Sequence, residues 1–162
     1  MKIVKVIIAL MCALGADIFF NKLFSFMNPF FDPYMILIVY FGTISKPVSS
    51  LFIGTAAGLV EDTWRELIFG LNGFKKTLIG YLIAVLASIF DLTGILARCA
   101  ILIVATLLDF LLEAGFMVLL GKGVDASIFY TMGGRIVGNL ILGMFFFIVM
   151  AKLSKRRYAE AS

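Results

Sequence analysis

Apolar residues in this chain fall in long blocks divided by short polar punctuation. The first block, 6–20, follows Lys2 and Lys5. Pro29 and Pro33 break the chain before a second, short block at 34–44, and Ser45-Lys46-Pro47 turns it into a third that ends at Glu61-Asp62. The fourth, 67–90, carries Lys75-Lys76 near its start. The fifth, 95–120, is interrupted by Arg98, Asp109 and Glu113, and the last, 136–153, leads into Lys155, Arg156 and Arg157. A helix crosses a bilayer in roughly 17–25 residues. The pattern therefore predicts an all-α integral membrane protein, a compact bundle of about six transmembrane helices in one polytopic domain, 1–162. The spans are placed roughly at 3–20, 30–45, 48–60, 67–90, 95–120 and 136–153. The block at 34–44 gives only ~16 Å of helix at 1.5 Å per residue, and spans only if the phenylalanines before it join it. Two short antiparallel spans fit 30–60 better than one long one, because Lys46-Pro47 at mid-bilayer is costly.

Composition sharpens that picture. Of 162 residues, 62% are hydrophobic and 15% charged, too little polar surface for a water-soluble domain of this size. The net charge of +4 gathers at the C-terminus beside a span, which points to cytoplasmic retention rather than to nucleic acid. Six spans then put both termini in the cytoplasm and leave Lys75, Lys76, Lys122 and Arg135 facing outward or snorkelling. Ala13-Leu14-Gly15 offers small residues at signal-cleavage spacing. The apolar run continues to Phe19-Phe20, which favours an uncleaved anchor with Asp17 near its outer end; cleavage leaves five spans and the same C-terminal side. Cys12 and Cys99 lack C-x-x-C spacing, and histidine is absent, which removes the commonest general base and metal ligand. No phosphate loop, nucleophile elbow or dinucleotide fingerprint occurs. The expectation is a non-enzyme without metal or cofactor.

Three constellations remain. Gly54-x-x-x-Gly58 and Gly134-x-x-x-Gly138, with Ala9-x-x-x-Ala13 and Ala84-x-x-x-Ser88, are small-residue pairs that let helix backbones approach, either within the bundle or against a partner's helix. Glu61-Asp62 reads as two solvated carboxylates at an interface, paired with Arg65 or Lys75, or as a recognition site. Trp64, Leu67, Ile68, Leu71 and Phe74 have helical spacing and suit an interfacial segment anchored by the indole. Arg98, Asp109 and Glu113 share roughly one stripe of the fifth span, as an intramembrane polar cluster that serves as interhelical glue or partner contact, or lines a substrate or ion pathway.

The central pattern, Gly54-x-x-x-Gly58-Leu59-x-x-Asp62, Gly70-Leu71-Asn72-Gly73 and Gly80-Tyr81-Leu82, resembles the bacterial rod shape-determining MreD family, as do the length and the charged ends. Gly58, Asp62 and Gly70 match the family pattern; Asp109 and Glu113 match no family position. The resemblance implies a non-enzymatic membrane subunit of the cell-elongation complex. It would bind the bitopic MreC, work with MreB, RodA and a class B penicillin-binding transpeptidase, and help to organise lateral peptidoglycan synthesis. On that reading Gly54, Gly58, Gly134 and Gly138 present partner-binding faces, Asp62 orients them, and Gly58→Leu weakens co-purification with MreC without impairing insertion. The family is also similar in architecture to substrate-binding subunits of energy-coupling-factor vitamin transporters. That supplies the alternative, a small-molecule-binding subunit with Asp109 and Glu113 lining its cavity.

Overall fold

The computed structural model describes residues 2–23, 30–65, 70–121 and 127–159. They form six α-helices: α1 (Lys2–Leu23), α2 (Pro33–Gly42), α3 (Pro47–Arg65), α4 (Leu71–Ile89), α5 (Ile95–Leu119) and α6 (Ser127–Ala159). Phe24, Phe26, Pro29, Glu66, Leu67, Ile68, Lys122 and Asp125 lie outside the described residues, as do the side chains of Trp64, Arg65 and the basic tail beyond Leu153. Among the described residues, three segments are long and apolar enough to cross a membrane: Val4–Leu23, Ile95–Leu119 and Tyr130–Leu153. The chain is an all-helical membrane protein.

The centre is α2, the shortest helix. Asp32 caps it, its carboxylate accepting from the Met35 amide at 2.9 Å, and Pro33 takes the first position, where a missing N–H costs nothing. Its ten residues, ~15 Å of helix, pack against all five other helices. Every residue from Pro33 to Val39 is buried, so α2 is apolar all round, as an enclosed helix should be. The contacts fix direction. Asp32 lies by Asn139 and Tyr40 by Phe146, so α2 runs with α6; Thr43 lies by Arg98 at the start of α5, which runs opposite. Helices α2, α4 and α6 thus begin at one end of the bundle, and α1, α3 and α5 begin at the other.

The most intimate pair is the antiparallel hairpin of α3 and α4. A Cβ on Gly54 would overlap the Lys76 carbonyl, and one on Gly58 the Asn72 carbonyl. Gly80 lies against the Ser50 carbonyl, and the Ser50 hydroxyl donates to the Gly80 carbonyl at 2.7 Å. Thr55 and Thr77 join their hydroxyls at 2.7 Å between them. Lipid tails are as apolar as leucine, so close backbone approach and interhelical hydrogen bonds replace hydrophobic drive here.

Of the two readings of these small-residue pairs, contact within the bundle or against a partner's helix, the packing is the first. Gly54 and Gly58 are consumed by the chain's own α4, while Gly134 and Gly138 on α6 are covered by the ring and carbonyl of Phe30. Gly58→Leu therefore strikes the hairpin before it can strike any docking surface. Gly58→Ala is expected to destabilise the detergent-purified protein by about 1–3 kcal/mol, the range for overpacking. Gly15→Ala and Gly115→Ala, where nothing lies within 4 Å, should be neutral or gain about 0.5–1 kcal/mol from helix propensity. Unfolding midpoints in sodium dodecyl sulfate compare the three.

Candidate polar site at the α2–α4–α6 end

The hairpin geometry decides what α4 carries inward. With Gly54 under Lys76 and Gly58 under Asn72, the first two turns of α4 press onto α3 and bury their polar side chains instead of releasing them to the surface. Lys76 is fully buried, and Lys75 is 1% exposed. Both therefore overturn the expectation of outward-facing or snorkelling lysines: each meets carboxylates before its stem can reach water.

The Lys76 ammonium donates to both oxygens of Asp32, at 2.8 and 2.9 Å, and pairs with Glu61 of α3. It also sits 5.1 Å from the centre of the Tyr34 ring, on the attractive face of that ring. Asp32 is doubly committed, since it caps α2 as well. Its own amide donates to the Asn139 side-chain carbonyl at 2.9 Å, and the Asn139 amide donates to Thr106 at 3.3 Å. One connected set of polar bonds thereby ties α2, α3, α4, α5 and α6 together.

Lys75 begins a second group. Its ammonium lies 3.3 Å from Asp109 and 3.2 Å from Glu113, and Arg135 of α6 reaches the same two carboxylates at 3.5 and 3.3 Å. Asp109 is enclosed, whereas Glu113, one helical turn further on, keeps a quarter of its side chain open. Asp109 and Glu113 thus share a face, as their spacing requires, and two cations from neighbouring helices close it.

Asp62 acts on backbone. Its two oxygens accept from the amides of Gly70 at 2.9 Å, Asn72 at 3.1 Å and Gly73 at 3.0 Å. Those amides belong to the opening turn of α4, which has no partners inside the helix and carries the positive end of its dipole. Gly70 adopts φ +93°, a left-handed conformation that glycine reaches without a Cβ penalty. The pattern Gly58, Asp62, Gly70 therefore has one physical content. It closes the hairpin, by close approach, by capping and by the turn between them.

Two expectations change. Glu61 and Asp62 are buried, at 3% and 2% exposure, rather than solvated: Glu61 pairs with Lys76 and Asp62 holds the start of α4. Arg98 does not join Asp109 and Glu113. It shares their stripe of α5 but lies near the opposite end of the bundle, where it donates to Thr43 at 3.2 Å and stacks over Tyr40 and Phe147 at 5.0 and 5.9 Å. Eleven residues of helix are ~16 Å, too far for any shared contact. Asp32, Lys75, Lys76 and Asn139 were missed as site residues. The Asp32-Pro33 pair is a helix-start signature that marks at least the first of them.

The fold and this buried network define a helical membrane protein in which the charged side chains of the α2–α4–α6 end join its own helices. A family model for the rod shape-determining protein MreD matches residues 1–157. The chain belongs to the MreD family of rod shape-determining proteins. No curated protein and no solved structure matches it.

Removing one member of a buried ion pair strands the other, at about 3–5 kcal/mol. Lys76→Met, which leaves Asp32 and Glu61 without their shared ammonium, is expected to lose that much stability. Lys75→Met should lose less, because Arg135 remains on both carboxylates. Denaturant midpoints of the two purified variants give the ranking, and an equal loss contradicts it.

Proposed function

We propose that this protein is a non-enzymatic, multi-pass subunit of the bacterial cell-elongation complex, with six spans and both termini cytoplasmic. It binds MreC and through it helps to organise the lateral peptidoglycan synthesis carried out by RodA and a class B penicillin-binding transpeptidase alongside MreB. The family match over residues 1–157 carries this reading. The geometry supports a scaffold: five helices are cross-linked by charge and hydrogen bonds that hold one arrangement of the bundle. A rigid bundle presents its outer surface in a fixed shape, which a partner's span needs if it is to bind without a large ordering cost.

The transporter alternative gains no support from the geometry. It requires Asp109 and Glu113 to line a ligand cavity, but Lys75 and Arg135 occupy their oxygens. An apolar groove between α1, α2 and α6 is lined by other residues.

Because the glycine faces are internal, partner binding falls to the exposed apolar faces, such as Val4, Ile7 and Met11 on α1 or Val104, Leu111 and Val118 on α5. Affinity-tagged protein solubilised from its own membranes is expected to co-purify MreC. Bulky substitutions confined to one of those faces, tryptophan at Met11 or Leu111, should lower the yield of MreC several-fold without shifting the melting temperature. If neither the parent protein nor any face variant shows a link to MreC, the assignment fails.

A further inference from the structure

Helix α1 packs on α2 and α3 and, among the described residues, does not approach α6. The gap is a groove of about 820 Å³, with α1 and α6 as walls and α2 as floor. Its lining is apolar except for a single charge. Lys5 stands at one end with Ile44 and Leu153, and Ala16 and Phe31 stand at the other. Between Lys5 and Ala16 the wall of α1 is ~17 Å long at 1.5 Å per residue. That is close to one leaflet of hydrocarbon, ~15 Å or half of the ~30 Å core. A partner's membrane-spanning helix would need a slot of the full depth.

The charges fall at the end where a lipid headgroup would lie. Lys46, two residues beyond the groove-lining Ile44, and Lys152, next to the groove-lining Leu153, are exposed at the same end of the bundle as Lys5, outside the groove itself. Basic residues at the mouth of an apolar slot one leaflet deep complement a phosphate joined to an acyl chain. We infer that the α1–α2–α6 groove is a binding site for an anionic phospholipid, its phosphate on Lys5, Lys46 and Lys152 and an acyl chain between α1 and α6. The lipid would fill the space that separates α1 from the cross-linked helices, so α1 is seated on the bundle partly through a bound lipid.

Native mass spectrometry of the full-length protein, released from micelles containing phosphatidylglycerol or phosphatidylcholine with matched chains, tests this. The expected result is one retained phosphatidylglycerol per protein, preferred by about tenfold or more. The triple variant Lys5→Gln, Lys46→Gln, Lys152→Gln should lose the preference. Cys12 lines the groove and is exposed, so Cys12→Trp should reduce retention of both lipids, whereas Ile7→Trp, exposed and outside the groove, should not. Should Cys12→Trp fail to accumulate, maleimide labelling of Cys12 in a Cys99→Ala background replaces it, and phosphatidylglycerol should slow the labelling several-fold. Equal retention of the two lipids, a triple variant with intact preference, or labelling unaffected by lipid overturns the proposal. So does a dimer that Cys12→Trp dissociates, which makes the groove a contact between copies, or a Cys12→Trp variant that keeps its lipid and loses a partner's span.

Discussion

The structure turns on a single ammonium. Lys76 is fully buried in a bundle surrounded by lipid, where an unpaired charge is expensive and has no water to retreat to. Only the joint presence of Asp32, at the head of α2, and Glu61, near the end of α3, makes its position tenable. That requirement is geometric as well as electrostatic. The two carboxylates meet the ammonium only if α3 and α4 lie at near-contact distance, and Gly54 and Gly58 allow that. The glycines are thus the condition for the ion pairs, and the ion pairs hold three helices where the glycines let them lie.

The same dependence spreads outward through Asp32. Its carboxylate serves the α2 cap and Lys76 at once, and its amide engages Asn139. A short helix such as α2, only ten residues, would be marginal by itself. Buried on every side and capped by a residue already fixed to α4 and α6, it becomes the post around which the longer helices stand. The polar bonds gather at the end where α2, α4 and α6 begin. The opposite end relies on Arg98 with Thr43, on the Ser50–Gly80 hydrogen bond, on edge-to-face aromatic rings and on apolar packing. One end of the bundle is cross-linked and the other is more loosely joined. Among the described residues, α1 makes its helix contacts with α2 and α3.

The sequence made the class and the helix count legible, because long apolar blocks and their punctuation depend only on local composition. It also showed that Gly54, Gly58, Asp62 and Gly70 belong together. It did not show what they do together. Small-residue spacing marks a face fit for close packing but says nothing of which helix fills it, so α4 could not be told from a partner's span. Lys75 and Lys76 were misplaced for a related reason. Near the start of an apolar block, a lysine ordinarily snorkels, and only the tertiary approach of Glu61, Asp32 and Asp109 turns it inward. Arg98 failed in the other direction: a shared helical stripe fixes azimuth, whereas ~16 Å of rise separates it from the carboxylates it seemed to accompany. Periodicity resolves direction around a helix far better than distance between helices.

A membrane protein can spend intramembrane charge on transport or on architecture, and the two uses leave different traces. A transport site keeps a carboxylate available to a cation, proton or substrate, with its other partners able to let go. Here Asp62 is bound by three backbone amides, Asp32 by a cap and a lysine, and Asp109 by two cations from different helices. Releasing any one of them undoes a helix start or a helix–helix joint as well as an ion pair. Carboxylates held in this way resist motion, which suits the architectural use. Glu113, partly open beside Lys75 and Arg135, is the least constrained of the set. Even so, its position one turn from Asp109 ties it to the same joint between α4, α5 and α6.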